Sequence, residues 1–131
     1  MRHEEVIAGA LKVARNQRGV TIHPGAVFDW SGSRPELPST CNAVGAVLLL
    51  LGSTRSKQLP FKAFDEHLGV GLLWVYRFHM GFDRDRQLQA PKLDKRGSVL
   101  RDASGDPIMV DDKVSAMGRR LRRAFCPGFD R

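Results

Sequence analysis

The chain has 131 residues, 42% of them apolar and 27% charged, and its 21 Lys and Arg against 14 Asp and Glu give a formal charge of +7. A chain of that size buries about two thirds of its unfolded surface without a disulfide or a structural metal, so composition predicts one globular domain over 1–131 and excludes wholesale disorder. The longest uninterrupted apolar run, Ala43 to Leu51, has nine residues, where a membrane-spanning helix needs about 20, so no membrane partner is expected.

The opening Met1-Arg2-His3-Glu4-Glu5 is acidic where a secretion signal is basic, and a cytoplasmic protein is expected. Residues 3–17 read as an amphipathic helix. Val6, Ile7, Ala10, Leu11, Val13 and Ala14 share one arc of the wheel, Glu4, Glu5, Lys12 and Arg15 lie opposite, and Gly19 caps the end. Val20-Thr21-Ile22-His23 and Ala26-Val27-Phe28-Asp29-Trp30 flank Pro24-Gly25 and read as two short strands or an apolar loop. Ser31 to Ser39 is a loop.

Ser39 or Thr40 is placed to cap a helix over 41–51 that Gly52 closes; it is leucine-rich, with few β-branched residues. Being apolar on every side, it is expected to be buried, with Gly45 and Ala46 admitting a neighbouring helix. After a polar loop at 52–57, Pro60 opens a helix to Leu68, which Gly69 breaks. The stretch Tyr76-Arg77-Phe78-His79-Met80-Gly81-Phe82 alternates, and its local pattern favours a strand. Residues 84–97 read as a flexible connection. Residues 98–110 read as a β-hairpin about Ala103-Ser104-Gly105-Asp106. Asp111 or Asp112 caps a last helix over 112–125, with Val114, Met117, Leu121, Ala124 and Phe125 on one face and Arg119, Arg120, Arg122 and Arg123 on the other. Residues 126–131 form a tail, and no internal repeat is visible.

The layout Cys41-x-x-x-Gly45-Ala46 running into leucines and Gly52, then Leu68-Gly69-Val70 with Trp74-Val75, Gly81-Phe82-Asp83 and Gly118-Arg119-Arg120-Leu121, resembles small uncharacterised proteins of bacteria and their phages. The resemblance covers about a third of the positions in scattered blocks. It implies a helix over 71–82, makes 84–110 an insertion, and implies no activity; a phage-like origin favours a small binding protein acting on another macromolecule. The expected fold is therefore a helix-dominated α+β domain with about five helices and one hairpin.

Charge is concentrated in one half. Residues 1–52 sum to +1 (five basic, four acidic) and the other 79 to +6. A basic C-terminal half suits an anionic macromolecule, either nucleic acid or an acidic protein surface. The arginine face of the last helix is the first candidate site, extended by Lys92, Lys95, Arg96 and Arg101, although cations there also favour the helix dipole. A helix-turn-helix over 60–78 is the second. Phe64, Leu68, Val70, Val75 and Phe78 match its buried positions, whereas Asp65 stands where a small residue is usual and Leu72, Leu73 and Trp74 stand where a reading helix wants Arg, Asn, Gln or Ser. If exposed, that last trio, or Trp30, points to self-association or a protein partner.

A cysteine-dependent hydrolase is the third reading, with Cys41 activated at a helix N-terminus and His79 or His23 as base. Against it, cysteines beside leucine-rich helices are usually packing residues. Phe28, Trp30, Trp74, Tyr76 and Phe78 are likewise assigned to the core. Cys41 and Cys126 lie outside any CxxC pair and are expected reduced, and the histidines at 3, 23, 67 and 79 lack metal-ligand spacing. No cofactor or metal is implied. The class expected is a small non-enzymatic binding protein.

Overall fold

The computed structural model describes residues 2–17, 19–30, 37–52 and 59–130. The described residues form a helix-dominated α+β fold with five helices: α1 His3–Arg15, α2 Ala43–Leu50, α3 Pro60–Leu68, α4 Leu72–Phe82 and α5 Lys113–Phe125. Strands β1 Thr21–Ile22, β2 Phe28–Asp29 and β3 Thr40–Cys41 form a small sheet in the order β1-β3-β2, with β1 parallel and β2 antiparallel to the central strand. β4 Gln89–Pro91 pairs with β5 Met109–Asp111.

α1 buries Ile7, Ala10, Leu11 and Ala14, with Glu4 and Glu5 in its first turn and Lys12 and Arg15 in its last, a charge order that suits the helix dipole. It ends at Arg15, two residues before the expected boundary. Both short extended pieces around Pro24-Gly25 are strands. The third strand corrects the reading of Thr40 and Cys41, which belong to β3 and not to a helix start. Asn42 is the cap of α2, its Oδ1 accepting the Gly45 amide at 2.9 Å. Residues Ala43 to Leu48 are all buried, as an all-apolar helix requires. Gly45 serves a strand instead of a helix: a methyl group there would overlap the Val27 carbonyl oxygen and crowd the Phe28 ring.

Gly69, left-handed at φ 66°, ends α3, and α4 follows after two more residues. The helix implied for 71–82 is present, and the alternation over 76–82 is not a strand signal here. α4 buries Val75, Phe78 and Phe82 at helical spacing, with Phe78 stacked between Phe64 and Phe82. α5 then closes on α4 with backbone nearly in contact. A Cβ on Gly81 would collide with the Ser115 carbonyl, and one on Gly118 would lie 2.7 Å from the Phe78 carbonyl oxygen. Asp112 caps α5 by accepting the Ser115 amide at 2.8 Å. The expected tail is instead a 3₁₀ turn, Pro127–Asp130, preceded by a buried Cys126.

Between α4 and α5 stands an arm, and it departs most from expectation. Residues 84–97 are not a flexible connection, because β4 lies within them. The hairpin over 98–110 is real, with Arg101 bridged to Pro107, but it is one pass of three, since Leu93 also pairs with Val99. Three backbone bonds close a ring: Lys92 N–H donates to the Ile108 carbonyl (2.7 Å), Ile108 to Leu100 (2.9 Å) and Leu100 to Lys92 (2.8 Å). Those three residues are eight apart, so the arm contains a repeat that inspection of the sequence misses. In the first copy Asp94 Oδ1 accepts the amides of Arg96 and Ser98, and in the second Asp102 Oδ1 accepts those of Ser104 and Asp106. Each turn then places a glycine, Gly97 or Gly105, at φ near +84° (83° and 84°). At the base, the Asp112 amide donates to the Leu88 carbonyl at 2.8 Å, and Gln87 Nε2 reaches the carbonyls of Leu88 and Asp112.

Candidate interaction surface

The four arginines of α5 do not form a free phosphate-binding face. Arg122 is buried and donates from Nη1 to the Phe82 carbonyl at the end of α4 (2.8 Å), where positive charge meets the helix dipole. Arg119 pairs with Asp85 at 3.1 Å. Arg120 grips both carboxylate oxygens of Glu4, at 2.8 and 3.2 Å, and this hydrogen bonding holds the Glu4 carboxyl below the usual range and the guanidinium pKa above it. Arg123 is exposed and makes no ion pair among the described residues. The wheel places Val114, Met117, Leu121 and Phe125 inward as expected, but Ala124 of the same face is exposed, and the wheel misses that α4 and α1 dock on part of the polar side.

Cys41 is fully buried on β3, and burial, with Cys126 nearby, pushes its thiol up to about 12. Activation at a helix N-terminus is thereby reversed: the site is not accessible and favours the neutral thiol. His79 is engaged elsewhere. Its Nδ1 lies 2.6 Å from Asp83, whose carboxylate also accepts the Gly25 amide and Asn42 Nδ2. His23 Nδ1 lies 2.6 Å from the Pro24 carbonyl oxygen. Asp83 thus joins the turn between β1 and β2, the α2 cap and α4 as a structural clasp. Among the described residues no group of His, Cys, Asp and Glu is arranged to hold a metal, and no helix is long and apolar enough to cross a membrane.

In the helix-turn-helix segment, Phe64, Val75 and Phe78 are buried and Leu68 and Val70 half-buried, as read from spacing. Asp65, the apparent misfit, accepts the Gly71 amide at 2.6 Å and so fixes the turn. The first turn of α4 exposes Leu72, Leu73 and Tyr76, the last contrary to its assignment to the core. Trp30 is also exposed, against its assignment to the core, and its ring lies tilted against Phe28.

Lys92, Lys95, Arg96 and Arg101 all lie exposed on the arm, where every residue from 91 to 110 except Leu100 is exposed. Large apolar side chains share that exposure: Leu93 at 54%, Met109 at 50%, and Val99, Ile108 and Val110 near 40% (37%, 38% and 40%). Where the arm meets the helices, two hollows of about 330 and 560 Å³ lie side by side. The first runs over Trp74, Val114 and Met117, the second over Arg77, Pro91, Leu93 and Val110, and both include Lys113 and Val114. Sequence reasoning assigns Val114 to the apolar stripe and does not anticipate this groove, whose walls come from segments far apart in the chain.

No protein-family model, no curated protein and no solved structure is significantly similar to the chain.

Proposed function

We propose that this is a non-enzymatic binding protein that engages an anionic macromolecular partner through its C-terminal half, with the arm and its base as the recognition surface. One observation carries the reading: the arm holds five large apolar and four basic side chains outward on a backbone fixed by its own hydrogen bonds. Exposed apolar surface on an ordered element is a cost that a binding face offsets when covered. Of the acids in the exposed stretch 91–110, Asp94 and Asp102 are turned onto backbone amides and Asp106 stays exposed, whereas Lys92, Lys95 and Arg96 form no ion pair among the described residues.

The alternatives draw less support. A DNA-reading helix needs donors and acceptors at its exposed positions, and the first turn of α4 presents the aliphatic Leu72 and Leu73 there. A hydrolase at Cys41 needs an accessible thiolate. The test is binding of poly-L-glutamate and of a mixed pool of duplex DNA across a salt series, comparing the parent with the combined Lys92→Ala, Lys95→Ala, Arg96→Ala and Arg101→Ala variant. Parent binding to at least one probe is expected to weaken with salt and to fall tenfold or more in a variant of unchanged melting temperature. No binding of either probe at low salt, or equal binding by the variant, overturns the reading.

A further inference from the structure

We infer that the groove at the base of the arm receives an acidic amphipathic segment of a partner protein, with apolar side chains in the two hollows and carboxylates on the rim. The inference rests on the function proposed above and names the partner within it. The floor is apolar over both hollows, with Trp74, Val114 and Met117 at one end and Pro91, Leu93 and Val110 at the other. Exposed Leu73 stands on α4 four residues before Arg77 of the second hollow, and so extends the same apolar strip.

The rim is positive because its five cations, Arg2, Arg77, Lys92, Lys113 and Arg120, outnumber its three carboxylates, and those three are already engaged. Glu4 is held by Arg120, Asp112 caps α5 and lies 3.8 Å from Arg77, and Asp111 accepts from Gln89 at 2.8 Å. Arg2, Lys92 and Lys113 line the same groove, are exposed, and form no ion pair among the described residues. An apolar centre with unpaired cations around it matches a helix or extended segment that buries large apolar residues and brings its own carboxylates.

Nucleic acid fits this groove less well. Stacking on single strands needs a ring with an open face, and the groove's two aromatic rings, Trp74 and His3, pack on one another, with Trp74 also stacked on Phe64 and Phe78. Phosphates would be laid on aliphatic side chains.

The probe is a displayed library of random 16-residue peptides, selected on the immobilised parent and then measured in solution. Enriched peptides are expected to combine two or more large apolar residues with a majority of Asp and Glu among their charged positions. Their affinity is expected to fall tenfold or more in Lys113→Glu and in Leu93→Ser, both exposed positions, and to be unchanged in Lys12→Glu on α1. Enrichment of non-acidic peptides, indifference to Lys113→Glu, or no enrichment overturns the inference. If duplex DNA binds through Lys92, Lys95, Arg96 and Arg101 while no peptide does, the proposed function stands with nucleic acid as the partner. If poly-L-glutamate, DNA and peptides all fail to bind, both readings fall.

Discussion

The helical body and the arm are ordered by different means. In the body, α4 and α5 approach until Gly81 and Gly118 are the only residues that fit, and Phe64, Phe78 and Phe82 fill the space between helices distant in sequence. In the arm almost nothing is buried, and shape comes from a doubled turn in which an aspartate collects two amides. The body is therefore specified by volume and the arm by local hydrogen bonds. A surface for recognition is better mounted on the second kind, because its side chains are not needed inside.

That contrast gives an order of expected effects. Phe78→Ala should cost about 3–5 kcal/mol by opening a cavity, and Gly81→Ala about 3 kcal/mol or more by overpacking, each lowering the melting temperature by roughly 10 °C or more. A Gly81→Ala protein that melts with the parent would show that the helices can part freely, and the account of the body would fail.

Cys41 should resist alkylation at pH 8 in the native protein and react fully once denatured. Its folded pKa is raised from 9.0 to about 12, so its contribution to stability is complete below the ordinary thiol range and is lost as pH rises toward 12. Denaturant titrations at pH 8 and pH 10.5 should show the lower midpoint at the higher pH. Rapid native labelling would restore the reading of Cys41 as a nucleophile.

In the arm, Asp102→Ala removes the acceptor for two amides, each bond worth about 0.5–1.5 kcal/mol. Amide hydrogen exchange should quicken at Ser104, Asp106 and Ile108, while the main melting transition moves by less than about 2 °C. Asp94→Ala should do the same one repeat earlier, at Arg96, Ser98 and Leu100. A collapse of the whole fold in either variant would merge the two regions into one cooperative unit. The smallest effect is reserved for Glu4→Gln: the Glu4–Arg120 pair is over a third exposed, so its loss should cost under about 0.5 kcal/mol at neutral pH. Because the Glu4 pKa is lowered, the pair's contribution holds above the ordinary glutamate range and fades as pH falls through the lowered value. The difference between parent and variant should therefore vanish in acid.

Much of the body was legible in the sequence because α1 and α5 each pair one apolar face with a polar one, and periodicity reports that directly. β3 was not, since two residues carry no period and Thr40-Cys41 also look like a cap. α4 was hidden by aromatic alternation, although Val75, Phe78 and Phe82 carry helical spacing once a partner on that side is known. The repeat escaped because its copies share few identities: Lys92, Leu100 and Ile108 match as ladder positions, Ser98 and Asp106 as turn exits. The arginine face was read as accessible because a wheel shows only the direction of a side chain. Whether Asp85, Glu4 or the Phe82 carbonyl waits there is settled by tertiary packing. The groove, built from α1, α4, the arm and α5, had no local signal at all.

The ring of Lys92, Leu100 and Ile108 also bears on the order of assembly. All its contacts close within 17 residues, and the Leu88–Asp112 bond seals its base, so it demands little loop-closure entropy and can form before the long-range contacts of the body. Once closed, it delivers the start of α5 beside the end of α4. The arm then behaves as an oversized turn, and the helix pair with the tightest packing in the molecule begins its folding as near neighbours.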